Sequence, residues 1–189
     1  MTVRVTELSP MLAQSKADLL KVRLAMPHAS FDLSLTECDA SSSGNETVQF
    51  LFAPNPGQPA KPLGRIASGG EMSRVLLALT AELASVDDTP VYVFDEIDAG
   101  IGGKTAHSVA ATLGDLSRYG QVLCISHLPV VAAAASQQFV IEKSVTDGQT
   151  TVTITDVRGE MRVNEMARML SGNTDAISLE SARQLLGTK

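Results

Sequence analysis

Asp95 and Glu96 follow the apolar run Val91-Tyr92-Val93-Phe94. If that run is a parallel strand, two carboxylates stand at its carboxyl end, where open α/β sheets bind their ligands. Carboxylates paired in this way can divide labour: one holds Mg²⁺, usually through water, and the other orients or deprotonates an attacking water. The same pattern also fits a strand that reaches solvent and turns polar. Ser68-Gly69-Gly70-Glu71 opens an amphipathic stretch, so its glycine amides and the positive end of a helix dipole would face an anion in front of them. The plain structural reading is a glycine turn with Ser68 as N-cap. Ile125-Ser126-His127-Leu128-Pro129 sets a histidine just past the next apolar run; a lone histidine is usually structural, but this one is within reach of a γ-phosphate held above the two carboxylates.

Gly102-Gly103-Lys104-Thr105 invites a different reading, as a phosphate-binding loop. That pattern needs a glycine about five residues before the second glycine, so that consecutive amides curl around a phosphate. Counting back from Gly103 gives Asp98, whose charge would sit beside the phosphates. The pattern should also follow a strand directly, whereas here Asp-Glu-Ile-Asp intervenes. Lys104 and Thr105 are therefore expected to open the next helix. No sequence of the form G-x-x-x-x-G-K-[ST] occurs in the 189 residues.

The elements that must position these groups follow from periodicity. Met72, Val75, Leu76, Leu79, Leu83 and Val86 trace one face of a helix beginning near residue 71. A buried strand over 91–94, a helix over about 103–118 and a strand over 122–125 then form a βαβ unit, hence a parallel pair. Upstream, Phe31, Leu33 and Leu35 alternate, as do Val48, Phe50 and Phe52, with turn chemistry over 41–45 between them: an antiparallel hairpin. Four prolines in residues 53–62 predict an extended connector. Downstream come a short helix after Pro129, β-like runs near 138–143 and 150–155 around Asp147-Gly148, and two helices. Val163, Met166, Ala167 and Leu170 mark the first of these helices; Leu179, Ala182 and Leu186 mark the second. At the N-terminus, Leu8, Leu12, Ser15, Leu19, Val22 and Met26 recur at alternating spacings of four and three, between Ser9-Pro10 and Pro27. Fewer than three heptads fit either a coiled-coil seam or an ordinary amphipathic helix.

Hydrophobic residues make up 44% and charged residues 19%, a composition that fits a globular chain with one good core. An aromatic content of 4% with no Trp argues against base-stacking platforms. A formal charge of −6 and a pI near 5.0 give no overall electrostatic footprint for nucleic acid. Cys38 and Cys124 lie far apart, Cys124 within an apolar run, which suits a reducing, cytoplasmic setting. No apolar run has the length of a membrane span and the first residues carry no apolar leader segment, so no membrane partner is expected.

The order of these motifs resembles the C-terminal half of an ABC-type ATPase head. The wording is closer to one branch: FLFAPNPGQPAKPLGRIASGGEMSRVLLAL, VFDEIDAGIGGKTA, CISHLPVVAA and NEMARMLSG are similar to the RecN family, SMC-like proteins of bacterial DNA double-strand-break repair. The resemblance runs from about residue 25 to the C-terminus. It implies an α/β fold, the C-terminal lobe of an ABC/SMC-type P-loop NTPase head with a mostly parallel sheet flanked by helices. Residues 1–27 would be the end of a returning coiled-coil arm and 28–189 the lobe itself.

By the same resemblance, Ser68, Gly69, Gly70 and Glu71 form the signature motif that binds ATP in trans. Asp95 is the Walker B carboxylate on the Mg²⁺ side, Glu96 the catalytic base and His127 the switch histidine. Asp98 to Gly102 form the D-loop region, although many relatives carry aspartate where this chain has Gly102. The implied cofactors are ATP and Mg²⁺. The implied partners are an N-terminal ATPase lobe carrying Walker A, a second head in a head-to-head homodimer around ATP, and DNA through the whole assembly. Such heads are built from both ends of a long chain, so this lobe is expected to be inactive alone; a cytoplasmic location is expected, which leaves nucleoid association open. Two other classes share some of these features: a transporter ATPase fragment, disfavoured because Ile97 stands where transporters usually have proline, and a non-catalytic module pairing through residues 8–26.

Overall fold

The computed structural model describes residue 26 and residues 28–41, 44–65, 69–85, 89–146 and 148–188. Most of the expected arm helix over 8–26 lies outside these residues, as do Ser68 and Val86. The chain divides into two compact units, Met1–Ile125 and Ser126–Lys189.

The first unit begins with a long hairpin, β1 (Ser30–Ser41) and β2 (Gly44–Ala53). Its register is the one that alternation predicts, with Phe31 opposite Phe52, Leu33 opposite Phe50 and Leu35 opposite Val48. Side-chain period fixes that register, because a slip of one residue would turn Phe31 and Phe52 out of the core. Both are almost fully buried, and the Phe31 and Phe50 rings stack at a centroid separation of 5.5 Å. The proline-rich connector supplies a two-residue strand, β3 (Lys61–Pro62), at the open edge of β2. Proline can stand there because an edge position asks for no further ladder bond.

The βαβ unit follows α1 (Gly69–Leu83) and comprises β4 (Val91–Phe94), α2 (Gly103–Leu116) and β5 (Gln121–Cys124). β4 and β5 pair in parallel, Phe94 opposite Cys124. On α2 the buried positions Ala106, Val109, Ala110, Leu113 and Leu116 recur at helical spacing, and this helix packs against α1. Three expectations need correction. Parallel pairing is confined, among the described residues, to β4 and β5, because the remaining strands are joined by short turns that permit only antiparallel ladders. β4 is buried on one face only: Tyr92 and Phe94 point inward while Val91 and Val93 are exposed, Val93 by 67%. The inward face of α1 is Gly70, Arg74, Val75, Leu77 and Ala78, with Leu76 and Leu83 exposed.

The second unit holds α3 (Pro129–Ala134), the antiparallel hairpin β6 (Gln138–Thr146) and β7 (Gln149–Val157), α4 (Glu160–Ser171) and α5 (Ala176–Leu186). Val163, Met166, Ala167 and Ala182 form its core, with Leu179 and Leu186 packed against them. Leu170, expected on that face, is exposed. Both helices end on a glycine in the left-handed conformation, Gly172 and Gly187. Asp175 caps α5 by accepting the Ser178 N–H at 2.8 Å, and that bond holds its carboxyl below the usual carboxylate range. Arg162 sends one Nη to the carbonyls of Ala132, Ala133 and Ala135, satisfying the end of α3 with a cation. Among the described residues no helix is long and apolar enough to cross a membrane.

Candidate functional site

β4 ends at Phe94, and the chain turns sharply through Asp95 to Gly100. Ala99 N–H donates to Glu96 O at 3.1 Å and Ile101 N–H to Asp98 O at 3.3 Å, which closes the turn. Ile97 and Asp98 are buried within it, whereas Asp95 and Glu96 are exposed. Among the described residues, Glu96 alone combines a side chain with positive φ, at 54°. A left-handed non-glycine backbone costs about 1–3 kcal/mol and persists where the surroundings demand it. Part of the compensation is local, since Glu96 N–H donates to Asp95 Oδ1 at 2.8 Å.

Helix α1 starts directly against this turn. A Cβ placed on Gly69 would lie 2.9 Å from Glu96 Oε2, so only glycine leaves the carboxylate where it is. A Cβ on Gly70 would meet both the Cβ and the carbonyl oxygen of Ala99 at 2.9 Å. One helical turn further on, Arg74 Nη1 donates to Ile97 O at 3.3 Å and to Ala99 O at 3.0 Å. Sequence reasoning passed over Arg74, since a charged residue counts as solvent-facing in a periodicity count. Its spacing of four from Gly70, on the same helix face, is the signal that was available.

The structure thus brings together Gly69, Gly70, Asp95 and Glu96, four of the seven expected site residues. Glu71 lies in the first turn of α1, half-buried, and contributes an electrostatic interaction with Arg74. Ser68 lies outside the described residues. His127 belongs to the second unit and is exposed, and beside it Ser126 Oγ accepts the Leu128 N–H at 3.1 Å before α3 begins. At the edge where β4 and β5 end, the Cys124 thiol is pushed up to about 11, first by burial and then by Asp98 and Asp95. It stays protonated at neutral pH and behaves as the apolar filler that its strand requires.

Gly102 precedes α2 in an extended conformation, Gly103 is left-handed at φ 51°, and Lys104 and Thr105 occupy the first turn, Lys104 in solvent. The four residues open a helix, as expected, and do not curl around a phosphate. Lys104→Ala is accordingly expected to change unfolding free energy by less than about 0.5 kcal/mol, measured by chemical denaturation.

No protein-family model matches the chain. Among curated proteins, the DNA repair protein RecN of Treponema pallidum is 44% identical over 172 residues, covering 87% of this chain and 30% of the relative. That of Deinococcus radiodurans is 45% identical over 164 residues, covering 86% and 29%. The chain therefore spans less than a third of the length of these relatives. Among solved structures, the Smc head domain of Pyrococcus furiosus, determined with an extended coiled coil and bound to the C-terminal domain of ScpA, superposes with a TM-score of 0.54. That match has 25% identity and covers 83% of this chain and 37% of that one. The fold is accordingly that of the ABC-like ATPase head domains of SMC proteins. Over the residues it shares with its relatives, this chain belongs to the RecN family, as the counterpart of the C-terminal portion of those proteins.

Proposed function

We propose that this chain supplies one lobe of an ATP-hydrolysing head in recombinational repair of DNA double-strand breaks. The observation that supports it most is Glu96, whose left-handed backbone holds an exposed carboxylate at the end of β4, against the first glycine of α1. In this reading Glu96 orients and deprotonates the water that attacks the γ-phosphate. Ser68 to Glu71 present backbone amides and a helix N-terminus to ATP held by the partner head. His127 senses the γ-phosphate, Asp98 to Gly102 form the turn facing the partner, and residues 1–27 end the coiled-coil arm.

Mg²⁺ fits the donor set. No group of three or more acidic, histidine or cysteine side chains is gathered for a metal among the described residues, and Mg²⁺ needs no such cage. It keeps several waters and takes one or two carboxylates plus substrate phosphates, which an exposed Asp95 suits. Bound there, the ion would neutralise phosphate charge.

The exposed Val91 and Val93 of β4 and Leu123 of β5, with Ile125 just past its end, support a covering partner, since parallel sheets are ordinarily buried on both faces. The N-terminal lobe carrying Walker A is the partner proposed for that face, with a second head completing the ATP sites and DNA engaged by the whole assembly. ATP hydrolysis by a head reconstituted from this chain and the N-terminal portion of a RecN relative tests the reading.

A further inference from the structure

Arg74 as a residue exposes only 5% of its surface, a costly place for a cation. An apolar side chain of similar volume would fill the same space without desolvation, so stability alone is a poor reason for arginine here. What an apolar side chain lacks is the ability to bond the carbonyls of Ile97 and Ala99, which Arg74 Nη1 reaches at 3.3 and 3.0 Å. Those carbonyls sit one and three residues after Glu96, in the turn whose backbone sets the direction of that carboxylate. The close approach of Gly70 to Ala99 brings helix and turn near enough for these bonds, since a Cβ on Gly70 would also come within 3.1 Å of Arg74 Nη1.

We propose that Arg74 is a positioning residue that fastens the turn carrying Glu96 to the helix carrying Gly69 and Gly70. A displacement of that helix on nucleotide engagement then moves the carboxylate with it. The inference rests on the ATPase reading above. It links the part of the chain that would complete the partner's ATP site with the part that would act at its own, so the two sites of a dimer become coupled.

The test uses the reconstituted head with Arg74→Met, which keeps length and loses the donors, and Arg74→Lys, which keeps a charge and a donor. Arg74→Met is expected to lower ATP turnover by about 10–100-fold, since displacement of a catalytic group by an ångström costs that much. The KM for ATP should stay within about threefold of the parent, because ground-state binding is untouched. Cooperativity in ATP should be lost, and Arg74→Lys should restore part of both turnover and cooperativity. A purely structural role would lower the active fraction and leave cooperativity intact. Parent-like turnover and cooperativity in Arg74→Met, alongside an inactive Glu96→Gln head, would overturn the proposal and leave the functional reading standing. Full turnover in Glu96→Gln would instead sink the functional reading. Hydrogen exchange at the Ala99 and Ile101 amides would then still decide on Arg74. Exchange faster by about tenfold than in the parent supports the link, and unchanged exchange overturns it.

Discussion

Glu96→Gln in the reconstituted head is expected to lower ATP turnover by about 10²–10⁴-fold, the contribution of a positioned general base. Glutamine has the shape of glutamate and retains an acceptor, but it cannot take a proton from water. Because the Glu96 side chain is exposed, the exchange buries no new polar group, and folding stability should stay within about 0.5 kcal/mol. The left-handed backbone at φ 54° and the N–H that donates to Asp95 Oδ1 are main-chain features of residue 96, so both remain possible. The defect should therefore fall on kcat with little change in KM, the signature of an interaction made in the transition state. ATP-dependent association of heads should persist, so that the variant accumulates an ATP-bound state measurable by sedimentation. Turnover equal to the parent would remove Glu96 from the chemistry.

Gly70→Ala is expected to be the most damaging small substitution on α1. Alanine in place of glycine inside a helix gains up to about 1 kcal/mol in propensity. Against that stands a methyl group 2.9 Å from the Cβ and the carbonyl oxygen of Ala99, a backbone neighbour that cannot rotate away. Overpacking of this kind costs about 1–3 kcal/mol, so the clash outweighs the propensity gain. The turn from Ile97 to Gly100 must shift, and Glu96 shifts with it. Turnover of the reconstituted head should fall by about 100-fold, in line with an ångström-scale displacement. Gly69→Ala makes an informative comparison, because its methyl group would meet the far end of the flexible Glu96 side chain rather than backbone. Its fall in turnover should be smaller than that of Gly70→Ala, and its effect on unfolding slight.

Local regularities made much of this legible from the residues. The pairing of Phe31 with Phe52 follows from alternation, since only one register buries both rings. The parallel pair β4 and β5 follows from two apolar runs spaced by a helix, and the place of Asp95-Glu96 at its end follows with it. Gly102 to Thr105 open α2 as the failed phosphate-loop spacing indicated. What escaped the pattern has physical causes. Apolar runs of four residues give no sign of which face is covered, so the exposure of Val91 and Val93 appears only in three dimensions. On α1, hydrophobicity pointed to Leu76 and Leu83, while close packing selected Gly70 and Arg74, residues chosen for smallness and for donors. The contact between Gly69 and Glu96 joins residues 27 positions apart in the chain, and no local rule reports such an approach.

The central claim is tested most directly by steady-state ATP hydrolysis of this chain alone, of the N-terminal portion of the Treponema pallidum RecN alone, and of the two together. The chain alone should show only background hydrolysis, having no G-x-x-x-x-G-K-[ST] loop. The mixture should hydrolyse ATP at a rate that exceeds the sum of its parts and that Glu96→Gln abolishes. Rapid hydrolysis by the pure isolated chain, or a mixture whose activity is indifferent to Glu96→Gln, would contradict the account.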